Sequence, residues 1–280
     1  MAALRRAGHG VTLLAPASSG TALVGPGPAE VDRLVAWDRP EAAGLLLDEG
    51  PPPGGFRDAI AAHDAALAFT RNTAIHRALG ALIPRVVAGD PSPPAAAGHS
   101  SWWYARSLAS LGIAARGKPP LLEPTAADQA EAAPFLDALG PGFLAVHPGS
   151  GSPAKSWRAD RFASVAVALH EGRQWLLVEG PADGDAARSL AVLPGVVRGR
   201  GLSPRGLGAL LARASLYVGN DSGVSHLAAA WGSPTLALFG PTDPAVWCPV
   251  GPKVRWIRGA GGDMDRIAVE DVVGAARRLR

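Results

Sequence analysis

The sequence predicts an α/β protein made of two Rossmann-like halves. Strand-like and helix-like segments alternate along the chain, twice over. Such alternation implies parallel sheets covered on both faces, joined by right-handed crossovers. At 280 residues, 48% of them hydrophobic, the chain has room for one large domain or two of ordinary size around a buried core.

The first half is less sharply drawn. Ala2–Ala7 reads as a helix; Val11–Leu14, Leu34–Ala36 and Ala66–Phe69 read as strands, and Pro26–Pro28 and Gly50–Gly55 as loops. Ser100–Leu111 reads as a helix with Trp102, Trp103 and Tyr104 at its start, either packing residues or a surface that meets an acceptor. A mononucleotide-binding half normally begins strand, glycine loop, helix. Here a helix-like piece comes first, so the N-terminal domain is expected to be incomplete. Gly117–Pro124, holding Pro119, Pro120 and Pro124, is the best linker.

The second half is clearer. Phe143–Val146 and Trp175–Val178 read as buried strands, with a helix between them from Asp160 as cap to Gly172. A helix over Asp183–Leu193 and a short strand at Val196–Val197 follow. Ser203-Pro204 joins a cap residue to proline at the first helical position, and that helix runs to about Ala214. Then come strand Leu216–Val218, the turn Gly219–Gly223, a compact helix to Trp231, and strand Thr235–Phe239 closing on Gly240-Pro241-Thr242. Val269, Val272, Val273, Ala276 and Leu279 have helical spacing.

Two loops carry chemistry. The turn at Gly219–Gly223 aims bare backbone N–H groups and a helix dipole beyond the strand end, which favours a phosphate. Ser222 and His226, one helical turn apart, are placed to help hold it. His226 has no acid, cysteine or second histidine at metal-ligand spacing. A hydrogen bond from its ring to a phosphate or backbone group fits better than a general base or zinc ligand, and a structural histidine is the plain alternative. The second loop, His147–Trp157, follows a strand and holds glycines, hydroxyls and Lys155. It fails as an ATPase P-loop: Ala154 stands where glycine is needed, and Pro153 removes a donor. A looser phosphate loop with Lys155 as point charge fits, against an ordinary loop with a solvent lysine. Asp183-Gly184-Asp185 and Asp263-Met264-Asp265 could bridge a metal to a diphosphate, but each sits at a helix start, where acids belong on dipole grounds. No metal is expected. Asp183 lies at a strand's carboxyl edge and can still touch a ligand.

Composition excludes other classes. Cys248 is the sole cysteine, so there is no intrachain disulfide and no cysteine-built zinc site, and a reducing cytoplasm is the natural setting. A formal net charge of +3 gives no argument for nucleic acid. Met1–Gly10 has two arginines but no apolar core after them, so it does not read as a signal peptide, and no apolar run is long enough to span a bilayer. Arg277, Arg278 and Arg280 are a solvated helix end or a weak attraction for an anionic membrane.

Asp221-Ser222-Gly223-Val224-Ser225-His226-Leu227-Ala228-Ala229-Ala230, followed by Phe239-Gly240-Pro241-Thr242-Asp243-Pro244, resembles the donor-binding signature of family 9 glycosyltransferases, the lipopolysaccharide heptosyltransferases and their relatives. His147–Ser150 through Lys155-Ser156-Trp157 is similar to the family's other signature. The resemblance is strong from about Phe143 to Gly251. It implies an α/β fold of two Rossmann-like domains facing a cleft (GT-B type): residues 1–120 on the acceptor side, 121–262 binding a nucleotide-diphosphate sugar, and 263–280 a helix packing back toward the N-terminal domain. It further implies an inverting, metal-independent transfer to a lipopolysaccharide-type or other glycan or glycolipid acceptor, with heptose the family's best-known sugar and no cofactor. Carried over, Ser150, Ser152 and Lys155 contact the diphosphate, Lys155 stabilising the leaving group. Asp183 and Leu202 lie near base or ribose, and Asp221, Ser222, Gly223 and His226 surround diphosphate and sugar. The family's catalytic aspartate, in a glycine loop after the first strand, is matched by no residue here. The expected setting is cytoplasmic, at the inner membrane surface, and a donor-binding relative without transfer is the alternative.

Overall fold

The computed structural model describes residues 1–47, 54–115, 121–180 and 183–280. The chain divides into two units, Met1–Pro120 and Leu121–Arg280.

In the first unit, helix α1 (Ala2–Arg6) precedes strand β1 (Thr12–Ala15), α2 (Ala17–Gly20) and β2 (Arg33–Ala36); α3 (Ala43–Leu47), α4 (Gly54–Ala61) and β3 (Ala65–Phe69) follow, then α5 (Thr73–Leu82), β4 (Arg85–Gly89) and α6 (Ser100–Arg106). β1 pairs in parallel with β2, and β3 with β4. Among the described residues no strand joins the two pairs. Among the described residues, Leu45, Ile60, Ala68, Ile75, Leu79 and Ile83 form one buried cluster, and Val31, Val35 and Ala42 are buried as well.

Two local readings change, and two elements not read from sequence are added. Gly50 to Pro53 lie outside the described residues, while Gly54 and Gly55 open α4 instead of extending a loop. β4 escapes a sequence scan because its strand is half exposed, with arginine at one end and glycine at the other. α5 starts at an Asn72 cap, whose side chain accepts from the Ala74 N–H at 2.9 Å. The helix expected over Ser100–Leu111 tightens into a 3-10 turn at Ser107–Leu111 and stops at left-handed Gly112. Trp103 and Tyr104 donate to the Asp90 and Pro91 carbonyls at 3.0 and 2.7 Å, while Trp102 is exposed.

Gly117 to Pro120 of the expected linker lie outside the described residues; in the second unit Leu122 is buried, its N–H on the Ala230 carbonyl at 3.0 Å. α7 (Ala126–Leu139) opens with a Thr125/Asp128 capping box. Strands β5 (Leu144–His147), β6 (Trp175–Val178), β7 (Val196–Gly199), β8 (Leu216–Asn220), β9 (Thr235–Phe239) and β10 (Val254–Arg258) alternate with α8 (Ala159–Leu169), α9 (Gly184–Leu190), α10 (Pro204–Leu211), α11 (Gly223–Ala230) and α12 (Pro244–Trp247); α13 (Val269–Leu279) comes last. β10 was not readable from sequence, since Arg255, Trp256 and Arg258 of this edge strand are exposed. α8 is capped by Arg158, not Asp160; Asp160 sits in the first turn, bound by the Arg158 guanidinium at 2.8 and 3.0 Å. α10 starts as its sequence indicates, the Ser203 hydroxyl accepting from the Gly206 N–H at 3.0 Å, but stops at Leu211.

All six strands are parallel, in the order β10-β9-β8-β5-β6-β7. β5, β6, β8 and β9 are buried along their whole length, which explains their unbroken apolar runs. Leu144, Val146, Leu177, Val218 and Leu238 share a core with Trp157, Phe162, Val165 and Leu169. α13 belongs to this unit: Val272, Ala275, Ala276 and Leu279 are buried in the same core, and the helix lies along α8 and the sheet. From β5 the chain winds outward through β6 to β7, then returns to β8 and winds the other way. The order therefore reverses between β5 and β8. In open α/β sheets the crevice beyond the carboxyl ends of such a pair is where ligands bind.

Candidate functional site

Both chemistry-bearing loops leave from that switch point. The loop after β5 runs His147–Trp157, and the turn after β8 runs Asp221–Ser222 into α11. Asn220, the last residue of β8, is fully buried and ties them together. Its amide donates to the Pro148 carbonyl at 2.8 Å, and its oxygen accepts from the Trp157 N–H at 3.1 Å. Thus one side chain holds both ends of the β5 loop against the β8 turn. The sequence signal was an apolar strand ending on Asn-Asp, which drew notice only to the aspartate.

Lys155 ends a 3-10 turn, Pro153–Lys155, and its Nζ lies 2.9 Å from Asp221 Oδ2. The same oxygen accepts from the Thr242 hydroxyl at 2.7 Å. Asp221 is nearly buried, with 7% of its side chain exposed against 31% for Lys155, so the lysine is the partner that solvent and a ligand can reach. Thr242 was missed as a site residue; its Gly240-Pro241-Thr242 loop follows β9, beside β8, and Arg258 braces that loop through the Gly240 carbonyl at 3.2 Å. A nearby thiol, Cys248, is pushed up to about 11 by burial and by the Asp221 charge, so it stays protonated.

Ser150 faces its own loop. Its hydroxyl donates to the Ser152 carbonyl at 2.6 Å, contacts Ser156 Oγ at 2.8 Å and accepts from the Ser152 N–H at 3.3 Å. Ser152 caps the turn that carries Lys155. Ser222 is the N-cap of α11, and Gly223 is exposed with open space where a side chain would begin. His226 is exposed in the first turn, its N–H on the Ser222 carbonyl. Leu202 is half-buried in the turn between β7 and α10. The loop therefore offers backbone donors, one lysine and a helix start at a single strand end, a set that suits an anion.

A second buried pair lies beneath. His147, the last residue of β5, meets the carboxylate of Asp183 at 3.1 Å, with 5% and 6% of their side chains exposed. Asp183 Oδ2 also accepts from the Gly180 N–H at 2.5 Å. Burial alone would raise this carboxyl, yet the His147 and Gly180 hydrogen bonds more than offset it and hold it below its ordinary value. Gly149 has to be glycine here: a Cβ would stand 1.8 Å from Asp183 Oδ1. The other face of the His147 ring puts Nδ1 3.4 Å from Ser222 Oγ. His147 was absent from the expected site because, ahead of Pro-Gly-Ser, it looks like the close of a strand.

The Asp-x-Asp acids diverge. Asp183 turns to His147, while Asp185 pairs with Arg188. Asp263 caps the Asp265 N–H at 2.9 Å. Among the described residues no three His, Cys, Asp or Glu side chains gather as a metal would require, and no helix is long and apolar enough to cross a membrane.

Comparison with known proteins agrees with the loops. The family model for glycosyltransferase family 9 (heptosyltransferase) matches residues 103–274, a span that holds every residue just described. Lipopolysaccharide heptosyltransferase 3 of Escherichia coli K12 is 36% identical over 127 residues, which is 41% of this chain and 36% of that protein. The chain thus matches little more than a third of that relative's length. Among solved structures, a family 9 glycosyl transferase from Veillonella parvula superposes with a TM-score of 0.78 at 20% identity, over 99% of this chain and 90% of that one. The E. coli ADP-heptose heptosyltransferase II does so with a TM-score of 0.75 at 20% identity, over 99% and 92%. The fold is accordingly the GT-B type of α/β protein. With the family model covering more than half of its residues, the chain belongs to glycosyltransferase family 9, the heptosyltransferase family.

Proposed function

We propose that this protein transfers a sugar from a nucleotide-diphosphate sugar to a hydroxyl of a lipopolysaccharide-type or other glycan acceptor. The observation that carries the reading is the convergence of Lys155, Ser222, Gly223 and the α11 start on the β5/β8 switch point. On this reading the C-terminal unit holds the donor and residues 1–120 meet the acceptor. ADP-heptose, named for the E. coli neighbour, is the first donor to try.

The chemistry follows from charge. When the sugar leaves, negative charge builds on the departing diphosphate. Lys155 and the N–H groups of the α11 start are fixed where that charge develops, so they stabilise the transition state more than the ground state. Asp221 and Thr242 keep the lysine on station. The acceptor oxygen bonds to the anomeric carbon as that carbon's bond to the diphosphate oxygen breaks, which inverts the carbon; the proton of the acceptor hydroxyl passes to a base on the acceptor side, and the lysine and helix end do the work that a metal does elsewhere. Ser150 serves by closing the loop and Ser152 by capping the Lys155 turn; Leu202 borders the base and ribose end, while Asp183 acts from beneath the loop through His147. Arg277 and Arg278 are exposed at the end of α13, and we place this end against an anionic cytoplasmic membrane surface, where a glycolipid acceptor is met.

The test is a transfer assay. ADP-heptose, then other nucleotide sugars, are incubated with the protein and a heptose-free lipopolysaccharide core acceptor, while nucleotide release and acceptor mass are followed. Release that depends on acceptor, with inversion, supports the reading. Tight binding without transfer supports instead a donor-binding relative, a reading favoured by the fact that every residue assigned so far is on the donor side. No binding of any nucleotide sugar removes both.

A further inference from the structure

We propose that this protein pairs with a second copy of itself through β10 and α13, forming a two-fold dimer in which two six-stranded sheets join into one. The proposal is independent of the donor-site reading above.

The edge of β10 is open in a definite register. β10 closes the sheet on one side and pairs only with β9 among the described residues. The Thr235 N–H donates to the Lys253 carbonyl at 2.9 Å, and the Gly259 N–H to the Phe239 carbonyl at 3.0 Å. Bonding alternates along a parallel ladder, so Lys253, Arg255, Ile257 and Gly259 serve β9, while Val254, Trp256 and Arg258 turn their N–H and C=O groups outward. An antiparallel copy meets those groups with Trp256 at the centre. Each Trp256 N–H then donates to the partner's Trp256 carbonyl, and Val254 pairs with the partner's Arg258. A slip of one residue would oppose them with groups already spent on β9. The edge is not blunted here. Trp256 is 50% exposed, and the Arg258 guanidinium is turned back onto the Gly240 carbonyl at 3.2 Å. Arg255 stands opposite the partner's Ile257, and the two indoles lie side by side as a cross-strand pair.

Charge complementarity identifies the occupant. Ile257 packs on the core that α13 shares, so Arg255, Ile257 and α13 lie on one face of the sheet. Between the strand edge and the helix is a cleft of about 520 Å³, bordered on α13 by Asp271, Ala275 and Arg278. These three form one stripe of the helix. Asp271 and Arg278 are exposed, and neither has an ion-pair or hydrogen-bond partner among the described residues. The two-fold axis that pairs the strands sets the two α13 helices antiparallel on one face, about 14 Å apart if each stays over its own β9. Asp271 then faces the partner's Arg278, and Arg278 faces the partner's Asp271, with Ala275 at the crossing. Close helix packing is about 8–10 Å, and an arginine–aspartate pair closes the rest. The stripe is its own complement, as an isologous interface requires. A purely anionic surface would meet Asp271 as well as the arginines. Arg277 lies off the stripe and stays available to the membrane surface proposed above.

The test is analytical ultracentrifugation of the full chain from about 1 to about 100 μM. The expected result is a monomer–dimer equilibrium that weakens as salt screens the charge pairs. Asp271→Arg and Arg278→Asp each set like charges against one another at both ends of the helix stripe. Each should weaken the dimer at least about tenfold. Mixed in equal amounts, the two variants restore both pairs, because a chain with two arginines meets a chain with two aspartates. The heterodimer should form where neither variant pairs with itself, and its recovery shows that both are folded. Trp256→Pro removes an outward N–H and no bond to β9, so it should abolish the dimer and leave the far-UV spectrum unchanged. An unsubstituted chain that stays monomeric over the whole range overturns the proposal. So does a dimer that neither charge reversal nor Trp256→Pro weakens, and so does a mixture of folded variants that stays monomeric. Nucleotide binding is not read in this experiment, so its failure leaves the donor site standing.

Discussion

At the scale of single residues, the site is a set of side chains whose first task is to hold one another. Lys155 is fixed by Asp221, Asp221 by Thr242, and the two loops by Asn220. On the proposed reading, replacing Lys155 with alanine removes the cation that faces the donor phosphate and is expected to lower turnover about 100-fold. It also leaves the Asp221 carboxylate without its ion-pair partner, so donor binding should weaken too; steady-state kinetics and calorimetry separate the two effects. Gly149→Ala is expected to displace Asp183 and loosen the β5 loop, read as weaker nucleotide binding together with a lowered melting temperature. Asp183 also ties stability to pH. Its folded-state carboxyl is lowered, so its contribution is complete above the ordinary carboxylate range and is lost as pH falls through the lowered value. Denaturant titrations from pH 6 to pH 3 should therefore show a smaller acid loss in Asp183→Asn than in the unsubstituted chain.

At the scale of elements, the strands that could be read from sequence are those buried on both faces. β5, β6, β8 and β9 carry the apolar runs Leu144–Val146, Trp175–Val178, Leu216–Val218 and Leu236–Phe239 because these strands are buried along their whole length. β4 and β10 were not legible, since exposure let arginine, glycine and tryptophan into them and erased the pattern. Among site residues, Lys155, Asp221 and Ser222 were legible because a charge or hydroxyl beside glycine has few structural uses. His147, Asn220 and Thr242 act through partners distant in sequence, Asn220 reaching back 72 residues to Pro148, and no local pattern records such a contact. The core beneath the site has its own test. Phe162 is fully buried against Trp157, ring centres 5.1 Å apart and edge to face. Phe162→Ala should cost about 3–5 kcal/mol of stability in denaturant unfolding, and the α13 helix, which shares that core, should unfold with it.

At the scale of the whole molecule, the two units are built to different standards. Among the described residues the C-terminal unit has a continuous six-stranded sheet, while the N-terminal unit shows two separate strand pairs and a smaller buried cluster. Isolated pairs protect few amides and bury little apolar surface. Hydrogen exchange should therefore be faster in β1–β4 than in β5, β6, β8 and β9, by a wide margin. The same measurement, repeated with saturating ADP or ADP-heptose, tests the central claim most directly. The account predicts slowed exchange at Gly149–Lys155, at Asp221–His226 and around Thr242, three loops at one end of one sheet. Protection confined to other surfaces, or none at saturation, would contradict a donor diphosphate site at the β5/β8 switch point.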